Sequence, residues 1–169
     1  MKKPPHFPAF DTERLLIREL TLEHSAALYE HFSDDDVTRY MDIDSLSSEA
    51  EAVNIINFHA KDSGCRWGLF ERQSGQLIGS CGYHCWEQGE FSKAEIGYDL
   101  AKAYWGMGIM QEAIHPILQF GFEQMGLSMV EAEVEKENAQ SIKLLRKLGF
   151  HHDLTRDGEF DWFILFRDD

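Results

Sequence analysis

The segment Tyr104-Trp105-Gly106-Met107-Gly108-Ile109-Met110-Gln111-Glu112 sets two glycines, one residue apart, between an alternating stretch at 94 to 100 (AEIGYDL) and an apolar-periodic stretch from about Met110 to Met125. The first stretch reads as a strand and the second as a helix, so the glycines occupy a strand-to-helix turn. Glycines there let a backbone come close to a ligand. The first amides of the following helix have no intrahelical acceptor and carry the positive end of its dipole. That combination suits phosphate oxygens and suggests pyrophosphate binding. It is not a P-loop, because no Gly-Lys-Ser/Thr follows, and it lacks the third glycine of the dinucleotide fingerprint. A plain strand-to-helix turn is the structural alternative. Pro116 falls inside the helix, removes one backbone donor and predicts a kink or a loosened second turn.

Outward from this segment, Leu127 to Glu135 alternates as a strand, Asn138 to Leu148 is helical and closed by Gly149, and Phe150 to Leu154 and Phe160 to Phe166 read as strands. Toward the N-terminus, Arg66 to Glu71 and Leu77 to Trp86 bracket Gln73-Ser74-Gly75-Gln76, the pattern of a hairpin. Arg14 to Leu20 suits a strand, and Thr21 caps a helix through Phe32. Ser48 with Glu51 has the capping-box spacing and opens a second helix to about Lys61, which Asp62-Ser63-Gly64 ends. Residues 1 to 10 read as a loose arm, and 11 to 169 as one continuous domain without repeats or linkers. The order β-α-α-β-β-β-α-β-α-β-β mixes hairpins with crossovers. It implies a mixed α/β architecture with helices on the faces of the sheet, not a doubly wound parallel sheet.

The chain has 169 residues, 16 Lys plus Arg and 30 Asp plus Glu, for a formal charge of −14. Such a balance leaves no basic footprint for nucleic acid or for an anionic membrane, and favours cationic partners. The start of the chain lacks the apolar core of a secretory signal, and no apolar run reaches bilayer length, so a cytoplasmic protein is expected. Cys65, Cys81 and Cys85 are an odd number, expected as reduced thiols. Strand alternation puts Cys81 and Cys85 on one face and His84 on the other. Small buried strand residues, and no metal, are therefore expected there.

Asn138-Ala-Gln-Ser141-Ile-Lys-Leu144-Leu145-Arg-Lys-Leu148-Gly149-Phe150, together with the glycine segment and a strand between them, resembles the two signature motifs of the GCN5-related N-acetyltransferase superfamily. The opening TERLLIREL and the AEIGYDL strand further resemble its branch that acetylates the N-terminal alanine or serine of ribosomal proteins. The resemblance runs over residues 11 to 167, with the sharp motifs at 94 to 112 and 138 to 150. It implies the acyl-CoA N-acyltransferase fold: a mixed, mostly antiparallel sheet splayed between two parallel strands, here 94 to 100 and 127 to 135. Acetyl-CoA, the implied cosubstrate, enters the splay, where its pantetheine arm pairs like an extra strand.

The resemblance also assigns residues. Backbone groups of Trp105, Gly106, Met107, Gly108, Ile109, Met110 and Gln111 hold the pyrophosphate. Gly106 and Gly108 match the last two fixed positions of the family's Gln/Arg-x-x-Gly-x-Gly/Ala loop, whereas Ala103 departs from the first. Strand amides near Tyr98, Asp99 and Leu100 polarise the thioester oxygen. Asn138 contacts the pantetheine arm. Many members carry a tyrosine seven residues later as the acid for the departing thiolate, but position 145 here is leucine. Ser141 matches the serine of the ribosomal-protein branch and takes that role, by hydrogen bonding to the thiolate or relaying a water proton. Spacing agrees, since Ser141 shares a helical face with Leu144, Leu145 and Leu148. On physics alone, Asn138 is equally an N-cap and Ser141 a first-turn residue.

For the base, Glu95 lies on the strand beside the expected cleft and takes the ammonium proton through water. An outer-face carboxylate is the alternative, and Asp99 on the same face competes. Lys143, Arg146 and Lys147 form either a solvated helix face or an approach to a CoA phosphate. Exposure is the default for His151 and His152, and core or rim packing for Trp67, Trp86, Trp105 and Trp162. The expected activity is direct acetyl transfer to a primary amine, most like a protein N-terminal α-amine. A polyamine or aminoglycoside-like acceptor, or a non-catalytic acetyl-CoA-binding module, stays open. The expected partner is an amine acceptor such as a basic protein N-terminus, with neither nucleic acid nor membrane, and the expected assembly is a monomer or homodimer. The acidity of the chain is expected on the acceptor side.

Overall fold

Buried apolar residues alternate with polar ones along the long strands, and this pattern assembles a single sheet. The computed structural model describes residues 7–61 and 64–168. Eight strands, β1 (Phe10–Asp11), β2 (Leu15–Glu19), β3 (Cys65–Glu71), β4 (Leu77–Glu87), β5 (Lys93–Leu100), β6 (Met129–Glu135), β7 (His151–His152) and β8 (Phe160–Phe166), run in the order β1-β2-β3-β4-β5-β6-β8-β7. Every neighbouring pair is antiparallel except β5 with β6. The helices are α1 (Ser25–Phe32), α2 (Asp35–Thr38), α3 (Glu49–Lys61), α4 (Ile109–Glu123) and α5 (Ala139–Lys147).

The parallel pair is short. It holds only at Lys93 with Met129, Ala94 with Val130 and Glu95 with Glu131. Beyond it β5 stays with β4 as far as Leu100, and β6 stays with β8 as far as Glu135. The two parallel strands therefore diverge into a V, the splay expected of the fold.

Ala94 and Ile96 of β5, Val130, Ala132 and Val134 of β6, and Trp67, Leu69, Cys81 and Tyr83 face α4 and α5 in the main core. Ile114 and Ile117 of α4 are fully buried there, so truncating either to alanine removes about 2–5 kcal/mol. A second cluster, Leu28, Phe32, Val37, Ala52 and Ile56, packs α1 to α3 on the opposite face.

Several local expectations change. Phe7 is buried and the Pro8 carbonyl accepts from Trp67 Nε1 at 2.9 Å, so residues 7 to 10 pack against the core and are no loose arm. Thr21 opens a 3-10 turn before α1, its amide donating to His24 Nδ1 at 2.9 Å. Glu51 accepts from the amide and hydroxyl of Ser47, one residue earlier than the Ser48 box expected. Of the Asp62-Ser63-Gly64 stop, Asp62 and Ser63 lie outside the described residues. Helix α4 runs unbroken through Pro116, because buried Ile114 and Ile117 hold both flanks and the Tyr83 hydroxyl donates to the Ile117 carbonyl at 2.8 Å. No helix of the described residues is long and apolar enough to cross a membrane.

Candidate active site

Gly106 (φ 73°) and Gly108 (φ 74°) are both left-handed. Nothing crowds a Cβ at Gly106, and only an Arg14 nitrogen, at 3.8 Å, approaches one at Gly108. Backbone conformation, not packing, demands glycine here. The first bond of α4 runs from the Glu112 amide to the Gly108 carbonyl at 3.1 Å, so the amides of Ile109, Met110 and Gln111 precede any intrahelical partner. The side chains of Ile109 and Met110 are buried, which leaves only their backbone for a ligand.

Three anchors hold this loop. Trp105 Nε1 donates to the Leu100 carbonyl at 2.7 Å. Arg14 Nη1 donates to the Met107 carbonyl at 2.9 Å, and Arg14 Nε to Glu112 Oε1 at 2.9 Å. The Thr12 hydroxyl and Arg14 amide also donate to Glu112, at 2.5 and 3.0 Å. Partial burial pushes the Glu112 carboxyl upward, but these bonds and the Arg14 charge outweigh it and hold it below the usual range. Sequence reading missed this clamp, since nothing local links Arg14 to a glutamate 98 residues on.

At this same C-terminal end of β5, the Ala101 amide donates to the Ile78 carbonyl on β4 at 2.8 Å. By antiparallel alternation the amides of Asp99 and Gly97 also face β4, whereas those of Tyr98 and Leu100 face the open V. The Tyr98 phenol lies on the core face and hydrogen-bonds the Ser141 hydroxyl of α5. Burial pushes the Tyr98 phenol up, more than the Ser141 bond lowers it, so it is held neutral. Asn138 is the N-cap of α5, its Oδ1 accepting from the Ser141 amide at 3.2 Å. Leu145, in the family's tyrosine position, is only 1% exposed and belongs to the core.

The other face of the V carries the carboxylates. Glu95, half-buried, places Oε1 3.1 Å from His84 Nε2. Asp99 shares that face but is sealed in a buried network: His31 Nε2 at 2.6 Å, Arg66 Nη2 at 2.6 Å and the Ser80 hydroxyl at 2.5 Å. Burial raises its carboxyl, but the His31 hydrogen bond, the Arg66 and His31 charges and the Ser80 bond together hold it below the usual range. Neither its amide nor its side chain reaches the V, in contrast to its expected part beside Tyr98 and Leu100 and as a rival to Glu95.

Glu131, Glu133 and Glu135 extend this acidic face along β6 by strand alternation. Lys93 (3.3 Å) and Arg156 (2.7 Å) hold Glu131. Glu133 is exposed, and its carboxyl is pushed up by partial desolvation and then by the charges of Glu95 and Asp42. Arg156 also stacks over Trp162 at 3.5 Å. On the far side of α5, Lys136, Lys143, Arg146 and Lys147 line an open groove of about 520 Å³ floored by Ala139 and Ile142.

The cysteine expectation fails at one position. Cys65 and Cys81 are buried, and burial pushes the Cys81 thiol up to about 12. Cys85 is exposed instead, because the β4–β5 register slips between His84 and Glu87 and Cys85 adopts φ 52°. Of the other aromatic candidates, Trp67 is core, Trp86 donates to Ser92 at 3.2 Å, and half-buried His152 stacks on Phe163 while His151 is exposed.

The acetyltransferase (GNAT) domain family matches residues 14–151. An uncharacterized N-acetyltransferase of Bacillus subtilis, YoaA, is 36% identical over 148 residues, covering 85% of this chain and 83% of the relative. The enzyme of Escherichia coli that acetylates alanine of ribosomal protein uS5 is 26% identical over 102 residues, 60% of this chain and 53% of that protein. Among solved structures, RimL, a ribosomal-protein α-N-acetyltransferase in complex with coenzyme A, superposes with a TM-score of 0.80 at 14% identity, covering 92% of this chain and 95% of that one. With these likenesses and the splayed sheet in place, the chain belongs to the GNAT family of N-acetyltransferases.

Proposed function

We propose that the chain transfers the acetyl group of acetyl-CoA directly to a primary amine, and that the acceptor is the N-terminal α-amine of a basic protein segment. The observation that carries this reading is the placement of Glu95 and of the Tyr98–Ser141 pair on opposite faces of one V. When bound, acetyl-CoA supplies an activated acetyl thioester. The cradle amides of 106 to 111 fit its pyrophosphate, since two left-handed glycines leave them bare. The basic groove of Lys136, Lys143, Arg146 and Lys147 offers counter-charge for the remaining phosphate.

In the V, the outward amides of Tyr98 and Leu100 polarise the thioester oxygen. Glu95, with or without a bridging water, takes a proton from the incoming ammonium. Ser141 hands a proton to the departing thiolate, and Tyr98 donates to Ser141 Oγ, so that the serine proton points toward the V. Proton uptake and proton delivery are thereby separated by the sheet itself. The acidic wall of Glu95, Glu133 and Asp42 attracts a cationic amine. The names of the ribosomal-protein relatives support a protein N-terminus as acceptor. We place this action in the cytoplasm, where acetyl-CoA and reduced thiols coexist.

Thiol release from acetyl-CoA, followed with an Ala- or Ser-starting basic peptide and separately with spermidine, tests the reading. Transfer to the peptide with a higher kcat/KM than to spermidine is expected. The reverse ranking overturns the acceptor assignment, and no transfer to any amine overturns the catalytic one.

A further inference from the structure

His84, Cys85 and Glu95 present an imidazole nitrogen, a thiol sulfur and a carboxylate oxygen that all lie within 4.8 Å of one another. Regular alternation along β4 would send Cys85 to the face opposite His84. The register slip after His84 and the left-handed backbone of Cys85 bring the thiol to that side instead. Among the described residues Cys85 is the non-glycine position with positive φ, a strained conformation that persists only where the surroundings over-determine it.

The trio is nearly a coordination shell. Bonds of about 2.0–2.3 Å to a tetrahedral zinc place its donors roughly 3.3–3.7 Å apart. His84 Nε2 and Glu95 Oε1 already stand 3.1 Å apart, so only the thiol has to close in, by rotation about its side-chain bond. Gly97 keeps the imidazole's place open, because a Cβ there would stand 3.2 Å from His84 Cε1. A thiolate and a carboxylate neutralise one divalent charge, and Glu133 adds negative field on the same face. The cations of the neighbourhood are committed elsewhere: Lys93 to Glu131 and Glu87, Arg66 to Asp99. One sulfur, one nitrogen and one oxygen suit zinc-class ions and not magnesium or calcium. Three protein donors leave a fourth position for water.

We propose that His84, Cys85 and Glu95 bind a divalent cation of the zinc class, and that its occupancy switches off acetyl transfer by ligating Glu95. The inhibitory half rests on the role given to Glu95 above, whereas the binding half does not.

Chelator-treated chain is titrated with Zn²⁺ by calorimetry and with Co²⁺ by absorption spectroscopy, beside Cys85→Ser. One equivalent of zinc bound in the sub-micromolar range and a thiolate-to-cobalt charge-transfer band are expected, and Cys85→Ser loses the band and at least about tenfold in affinity. Cys65 and Cys81 are buried and do not compete. Absence of binding, or binding and band unchanged in Cys85→Ser, overturns the site. In the transfer assay zinc suppresses the wild type and spares Cys85→Ser at the same concentration. Suppression equal in both, or none with the site filled, overturns the inhibition. A chain without transferase activity fails the proposed function while the two titrations still decide the site.

Discussion

The phenol of Tyr98 and the hydroxyl of Ser141 hydrogen-bond each other across the V, joining strand β5 to helix α5 where β5 and β6 have parted. A serine hydroxyl alone is a poor acid. In the proposed mechanism the buried neutral phenol donates to its oxygen and polarises the remaining O–H, and low local dielectric strengthens the pair. Ser141→Ala should lower kcat about 100-fold, within the usual worth of a general acid, with the KM for acetyl-CoA changed little. Tyr98→Phe should lower kcat less, and the double variant no further than Ser141→Ala alone, since the tyrosine acts through the serine. Steady-state kinetics on the four proteins decides this; full turnover in Ser141→Ala removes the acid assignment.

The glycine cradle makes a separate prediction. At φ 74°, Gly108 occupies a conformation that a β-branched residue does not adopt without strain. Gly108→Val should weaken acetyl-CoA binding about 100-fold or more by calorimetry, an affinity loss near 2.7 kcal/mol. The fold should persist, because Arg14 and Glu112 clamp the loop from outside. Unchanged affinity would refute the cradle.

Local physics made much of this legible in the sequence. The β3–β4 hairpin, the glycine turn and the amphipathic face of α5 each follow from spacing and turn chemistry within a dozen residues. The splay followed from family resemblance, not from periodicity. What stayed hidden is non-local or irregular. His31 and Arg66 reach Asp99 across 68 and 33 residues, and no pattern in the strand announces that they occupy both oxygens of the carboxylate. Simple alternation misplaces Cys85, because a single register slip reverses a period of two. The sequence points to the Tyr98 amide but not to the contact of its phenol with Ser141, because β5 and α5 meet only in three dimensions.

The Asp99 network predicts a stability effect with a defined sign. Asp99→Asn leaves Arg66 with an uncompensated buried charge and should destabilise the fold by about 3–5 kcal/mol. The Asp99 carboxyl is held below its unfolded value of about 3.9. Its contribution is therefore complete above that value and is lost as pH falls through the lower folded one. Glu112 has the same sign. Thermal melts should fall steeply below about pH 4 in the wild type, and Asp99→Asn should flatten that acid limb.

Glu95 and Asp99 are distinguished by what replacing each one damages. Glu95→Gln should lower kcat/KM about 100-fold and flatten the acidic limb of the pH–rate profile, with melting temperature nearly preserved. Asp99→Asn should lower melting temperature and leave the pH–rate profile of the surviving folded enzyme in place. An acidic limb lost only in Asp99→Asn would transfer the base role to Asp99.

The charge of −14 bears on substrate order of sensitivity. Coenzyme A is itself anionic, so on the proposed reading its binding depends on backbone amides at close range and on the basic groove of α5, whose field opposes the global one. On the proposed reading the acceptor is drawn in through solvent by Glu95, Glu133 and Asp42, where ions screen; the Debye length is about 10 Å at 0.1 M salt. Raising salt from roughly 50 to 500 mM should therefore raise the KM for a basic peptide several-fold while the KM for acetyl-CoA moves less. Initial rates at varied peptide and fixed saturating acetyl-CoA, then the converse, separate the two. Equal slopes, or a steeper one for acetyl-CoA, would mean that the acidic wall does not attract the acceptor and that the groove of Lys136, Lys143, Arg146 and Lys147 dominates the electrostatics of binding.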